Sequence, residues 1–492
     1  MKKFMIPEEI VLDQKTQKFF LVFSLLGIFG FLFIFFHTGQ NILISIYKSL
    51  TRREIVNEKW VEIIRALSLI SITCFSIILI TVIKKKINKY EFFIFLFLII
   101  QLLSASNRNM DGHALSSYLL SYRYGFASRM FIGTIVDLLL NGGFVSRIFI
   151  YGFTFSGILL LCFYISVILG YLIQKSENQL SLFILTLLYL SSSISPSAYF
   201  VQGNFGRMEI YIFLFILIVF SVIDKKLWRW FIPALCFMSI ATHLVSIFFY
   251  MPLVFIILVY KFITKDNKNK KEGILLISTT AIIILSFLYF VIFSKSALKF
   301  QNEDEFVNVL KNKTDIDSYG SSLHYDYFLS IADTFNYVSE YFSPTIELIK
   351  KFLCILQNLP LFLFFILFWK KCIAFEQKRS MKLIFLFSLL LPLLSIPAFI
   401  LFIDWGRWVI MLLTVQFMLV FYFLYMREAA VVYTSNKFSI IVQKNIYIAI
   451  LFIMLSIFFG PIWQISSSEN FENLLNIPTR IIEKILKIGG IN

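Results

Sequence analysis

Charge is scarce in this chain, and that scarcity decides its class. Only 15% of the 492 residues are Asp, Glu, Lys or Arg, while 59% are hydrophobic and the mean hydropathy is +0.82. A soluble protein of this length needs far more polar surface to cover its core. Cysteine is sparse too. The five (Cys74, Cys162, Cys236, Cys354 and Cys372) fall in or beside apolar runs without a pairing spacing. That excludes a disulfide or zinc framework and makes them small core residues. The phosphate-cradling glycine–lysine loop, the dinucleotide glycine fingerprint, HExxH and CxxC are all missing. ATP-driven transport and cytoplasmic nucleotide-sugar chemistry therefore lack their parts. No long internal repeat or low-complexity linker interrupts the chain. A cleavable signal peptide is not expected either. The first apolar run, Phe19 to His37, is too long for a signal core and lacks a small-residue cleavage site, so it reads as an anchor.

What is present is apolar sequence in runs of about 18–22 residues, the length a helix needs to cross a bilayer. Lipid offers backbone groups no partner, so such runs must be helical; barrel strands would alternate with period two, and these do not. The expected spans are 19–37, 61–83, 90–106, 148–173, 180–200, 209–223, 227–242, 244–260, 274–293, 352–369, 383–403, 409–426 and 446–465. The fold class is all-α: a polytopic transmembrane helical bundle of about 12–13 spans, residues 1–492 forming one membrane domain. The pair around Thr242-His243 is either two short helices or one broken one.

The net charge of +16 comes from lysines in short loops, which orient a membrane protein and do not call for nucleic acid. Lys84 to Lys86, Lys225-Lys226, Lys265 to Lys271, Lys370-Lys371 and Lys437 mark one side under alternation, together with the N-terminus. That side is expected to be cytoplasmic and the C-terminus extracytoplasmic. Residues 38–60 break the rule, since Lys48, Arg52, Arg53 and Lys59 fall outside in this scheme. Two large extracytoplasmic loops follow, 107–147 and 294–351. The tail 466–492 reads as an amphipathic interfacial helix, with Pro478 in its first turn and Gly489-Gly490 as its stop.

The outer side collects the chemistry. The first loop carries Arg108, Asp111, His113, Arg123 and Arg129; later come Gly206-Arg207-Met208-Glu209 and Asp404-Trp405-Gly406-Arg407-Trp408. Arginine grips phosphate bidentately and stays charged, and a carboxylate can take a hydroxyl proton. Candidate catalytic groups are therefore Asp111, Asp404, Glu209 and His113. Candidate substrate contacts are Arg108, Arg123, Arg129, Arg207, His243 and Arg407. Each has a plainer reading. Asp111 caps the next stretch or pairs with Arg108, and Asp404 and Glu209 pair with their neighbouring arginines. Trp405 and Trp408 read as interface belt. His243 lies in a break where a polar side chain is costly unless it faces a cavity. The second loop reads as a partly helical cap; alternatively it is a lid binding a glycan through Tyr319, Tyr325 and Tyr327. No metal site or cofactor is indicated.

On these motifs the chain resembles multi-pass glycan enzymes that use polyprenyl-linked sugars outside the membrane. They are the GT-C superfamily glycosyltransferases, the O-antigen glucosyltransferases and the O-antigen polymerases. The resemblance is one of layout and covers most of the chain. It implies transfer of sugar from a polyprenyl-phosphate donor to a cell-surface glycan such as O-antigen, at the outer face of the cytoplasmic (inner) membrane. In GT-C enzymes the catalytic acid follows the first span, whereas Asp111 follows the third expected one. The implied partners are the lipid-linked donor, the glycan acceptor, the bilayer and other polysaccharide-assembly membrane proteins. The alternatives are a polysaccharide polymerase and a lipid-linked glycan flippase or transporter. Few polar residues at mid-span disfavour the last.

Overall fold

The computed structural model describes residues 9–11, 13–36, 45, 58–84, 86–104, 110–176, 178–192, 194–200, 204–264, 270–294, 296–316, 323–328, 331–342, 355–356, 358–401 and 403–459. His37, most of 38–57, Arg108, Cys354 and the tail 466–492 lie outside these residues, as do the side chains of Tyr319 and Tyr325.

The described residues fold mainly as helices; Glu9–Val11 pairs antiparallel with Lys86–Asn88, Glu9 opposite Asn88. Helix starts follow local chemistry. Asp13 accepts from the Thr16 amide (2.9 Å) ahead of Gln14–Phe35, and Ser146 accepts from the Phe149 amide (3.1 Å) ahead of Arg147–Gln174.

Among the described residues, seven helices are long and apolar enough to cross a membrane: Gln14–Phe35, Trp60–Lys84, Arg147–Gln174, Ser246–Thr264, Lys270–Ile292, Arg379–Leu401 and Trp405–Tyr425. An eighth exists if Ala429–Lys444 and Ile446–Met454, bent by 82°, form one span. Each of the thirteen expected spans overlaps a described helix, but the count of 12–13 falls to seven or eight by length and composition, because several of these helices are short. Lys89–Ser104 has 16 residues, Gln179–Ser191 13, Glu209–Val222 14 and Ile232–Thr242 11. Fourteen residues rise only about 21 Å, against a hydrocarbon core of about 30 Å. Glu209–Val222 is mostly buried, so its apolar sequence answers to protein neighbours as much as to lipid.

His243 marks a reversal between two helices. Its extended backbone ends Ile232–Thr242, and Ser246–Thr264 returns so that Lys261 pairs with Asp224. The bundle thus has two polar ends. Lys84, Glu91, Lys175, Asp224, Lys261 and Glu428 sit at one; Asp111, Arg207, Glu209, Asp404 and Arg407 sit at the other, where Glu209–Val222 and Trp405–Tyr425 begin.

At that second end the two large loops interlock. The Ser128 amide donates to Ser294 Oγ (3.0 Å), Tyr327 Oη donates to the Ser128 carbonyl (2.8 Å) and the Val145 amide donates to the Lys313 carbonyl (2.8 Å). The second loop is partly helical, with Glu303–Lys311 and Ile331–Phe342. Tyr327 is buried in this seam and so does not present a glycan-binding face. Three cysteines, Cys162, Cys236 and Cys372, are buried and free, and Cys74 is exposed and free.

Candidate functional site

The arginine–carboxylate end is built by loops and helix starts that are far apart in sequence. Arg407 occupies the first turn of Trp405–Tyr425. It donates through Nη1 to Glu209 Oε1 (2.6 Å) and through Nη2 to Asp404 Oδ2. Arg207, in the turn before Glu209–Val222, donates through Nη2 to Asp111 Oδ2. The other oxygen of Asp111 accepts from the Ala114 amide (2.6 Å) and caps the short helix Gly112–Ser117. Asp111 therefore does cap the following stretch. Among the described residues its ion partner is Arg207, while the expected partner Arg108 lies outside them, and Glu209 pairs with Arg407 in place of its neighbour Arg207.

Burial is graded across the cluster. The Glu209 side chain is 0% exposed and that of Arg407 6%, whereas Asp404 keeps 26% and Asp111 37%. Solvent and any ligand thus reach the Asp111 and Asp404 edges first. Glu209 Oε2 and Arg407 Nε have no hydrogen-bond partner among the described residues. Buried ionic atoms left so are costly.

Electrostatics ties the members together. Burial lowers the pKa of Arg207 and the Arg407 guanidinium lowers it further; Asp111, Asp404 and Glu209 oppose both. His243, in the break outside the spanning helices, is held well below the ordinary histidine value by burial and then by Arg129, Arg407 and Arg207, so its imidazole is neutral. Arg129 is brought close through its amide, which donates to the Ala241 carbonyl (3.0 Å). It adopts a left-handed backbone (φ 64°), which a non-glycine residue adopts at a cost. Arg129, Arg207 and Arg407 thus all act on a neutral His243, and Arg207 and Arg407 in turn lie among Asp111, Glu209 and Asp404.

A tyrosine network braces this end. Tyr118 Oη donates to the Gly206 carbonyl (2.8 Å) and lies 2.8 Å from Thr154 Oγ1 and 3.1 Å from Tyr211 Oη. Gly206 has φ +84°, and a Cβ there would meet Met110 Sδ at 2.6 Å. Glycine is what lets the Arg207 turn close against Met110. Sequence reading missed the tyrosines, since scattered apolar-looking tyrosines give no motif.

Three expected residues stand differently. Arg123 pairs with Asp137 (3.3 Å) and its side chain is 48% exposed, so it staples the first loop and does not join the cluster. His113 is half-buried, and its carbonyl accepts from Ser116 and Ser117 (3.0 Å each). Trp408 is no interface belt: it is 1% exposed, stacked on Phe249 at 6.0 Å and edge-on to His243. It walls the cluster from the bundle core. Among the described residues no three His, Cys, Asp or Glu side chains converge to hold a metal ion. Compared with known protein families, curated proteins and solved structures, the chain matches none.

Proposed function

We propose that this chain is an integral membrane glycosyltransferase that takes sugar from a polyprenyl-phosphate-linked donor and passes it to a cell-surface glycan at the outer face of the cytoplasmic membrane. The observation that carries the reading is the gathering of Arg207 and Arg407, each already holding a carboxylate, at the rim of one helix-bundle end. The lysine-rich opposite end supports a cytoplasmic position for that end and an outer position for the arginines.

The chemistry follows from exchange of partners. A donor phosphate is a better match than a single carboxylate for the guanidinium forks. When it takes Arg207, Asp111 Oδ2 is released beside the solvent-facing edge. Asp111 then accepts the acceptor hydroxyl proton. The hydroxyl oxygen bonds to the anomeric carbon, and the carbon–oxygen bond to phosphate breaks, its electron pair leaving on the polyprenyl phosphate. Arg207 and Arg407 stabilise that developing charge in a water-poor site. Neutral His243 and Trp408 close the inner wall.

The test is transfer from a synthetic polyprenyl-phosphate sugar by the purified protein in lipid nanodiscs. Asp111→Asn is expected to lose about 10²–10⁴-fold in kcat, the worth of a positioned general base, with thermal unfolding shifted little. Wild-type-like transfer by Asp111→Asn, Asp404→Asn and Glu209→Gln alike would sink the carboxylate mechanism.

A further inference from the structure

Two cavities meet at the lysine-rich end, opposite the arginine–carboxylate cluster. The first, of about 380 Å³, lies between helices Arg147–Gln174, Gln179–Ser191, Glu209–Val222 and Trp405–Tyr425. Its walls are mainly apolar, with Leu169, Leu190, Phe213, Leu217 and Met418 among them. Along one wall, Phe213 to Ser221 measures about 12 Å of helix. The second cavity, of about 510 Å³, adjoins the first at Leu172 and Tyr425 and is more polar, lined by Lys175, Ser176, Arg427 and Asn436. Both volumes lie in the range of sites that hold small ligands.

Charge at this mouth is uneven. Its acids are engaged: Glu91 with Lys84 (2.8 Å), Asp224 with Lys261, and Glu428 with the Tyr260 hydroxyl. No ion pair engages Lys175, Lys225 or Arg427 among the described residues, and Lys175 Nζ rests 4.3 Å from the Tyr171 ring centre. Arg427 also carries a backbone oddity. It ends Trp405–Tyr425 with φ 57°, in a cap closed by the Glu428 amide on the Phe423 carbonyl (3.0 Å), a position glycine fills without strain. An arginine held there against backbone preference, with its side chain lining the polar cavity, is an outlier that points to use.

We infer that this end is a second ligand site, for one anionic phospholipid. One acyl chain fills the apolar cavity, and the phosphate sits among Lys175, Lys225 and Arg427. Arginine supplies the fork that matches phosphate oxygens and the lysines add point charge. A zwitterionic lipid has no net charge to offer these cations, so the site selects for the anionic class. The site does not depend on the transfer reaction and stands or falls separately from it.

The test uses the full-length protein in phosphatidylcholine nanodiscs doped with either phosphatidylglycerol or phosphatidylcholine carrying a diazirine on one acyl chain. Labelled residues are mapped by mass spectrometry. The anionic probe is expected to label Leu217, Phe220 and Met418 and the neutral probe to leave them unlabelled. Leu217→Trp fills the cavity and abolishes that labelling. The pair Lys175→Gln and Arg427→Gly brings the two probes to parity while leaving the unfolding temperature equal or higher, because glycine relieves the strained cap. That second variant keeps the test decisive if the tryptophan variant does not fold. Equal wild-type labelling by both probes, or labelling confined to outward side chains such as Phe19, Leu26 and Phe29, overturns the assignment.

Discussion

Removing Arg407 is expected to harm the fold more than removing the carboxylate it holds. Arg407→Met keeps much of the side-chain length but strands Glu209, whose side chain has no exposure and whose Oε2 has no partner among the described residues. Breaking a buried ion pair by deleting one member costs about 3–5 kcal/mol, because the survivor is left charged and desolvated. Glu209→Gln is milder. Arg407 keeps Asp404, and the loss is about 1.5–3 kcal/mol for one charge-assisted hydrogen bond. The double variant leaves no buried unpaired carboxylate. It is expected to be more stable than Arg407→Met alone, with a coupling between the two sites of about 0.5–3 kcal/mol. Equilibrium unfolding in mixed detergent micelles measures all four corners of the cycle. An Arg407→Met cost below about 1 kcal/mol, the worth of an exposed pair, refutes the reasoning. Strict additivity refutes it as well, since the two groups would then be acting independently.

Other outcomes follow from the same geometry. Arg123→Ala removes an exposed pair with Asp137 and should cost less than about 1 kcal/mol while leaving the proposed sugar transfer unchanged; a large loss in that assay would return Arg123 to the site. Gly133→Ala would drive a Cβ to 1.9 Å from the Leu120 carbonyl oxygen, so the variant is expected to fail in expression or to unfold at much lower temperature. Acidification should weaken the fold through His243. Its folded value is depressed, so the unfolded chain binds the proton first; stability is full above the unfolded value near 6.5 and falls by about 1.4 kcal/mol per pH unit below it until the folded value is reached. Unfolding profiles of the wild type and His243→Asn from pH 7.5 to 5 check this, and parallel profiles would show that His243 does not contribute.

Helix positions were legible in the sequence because every expected span shows up as an apolar run, and apolar runs in lipid must be helical. Helix lengths were less legible. The run 209–223 is as apolar as a lipid-facing segment, yet most of Glu209–Val222 is packed on protein. Composition does not tell one apolar neighbour from another. The site residues Arg207, Glu209, Asp404, Arg407 and His243 could be picked because charge is rare in such a chain and therefore informative. Their partners could not. Asp111 meets Arg207 across 96 positions, and Arg407 meets Glu209 across 198, distances over which local spacing carries no information. Arg123 carried the same local signature as Arg207, and only the contact with Asp137 separates them.

The seam between the two large loops bears on how the chain is made. Ser128 waits for Ser294 and Tyr327, and Asp111 waits for Arg207, so the early loop has no complete surroundings until helices far downstream have been threaded into the bilayer. A ribosome delivers about 5–20 residues per second. Over that interval of many seconds the half-built bundle exposes Tyr118 and the Asp111 carboxylate without their partners. Insertion chaperones and membrane proteases would meet this protein in that state, and a nonsense change after residue 140 is expected to yield a fragment that they clear before it accumulates.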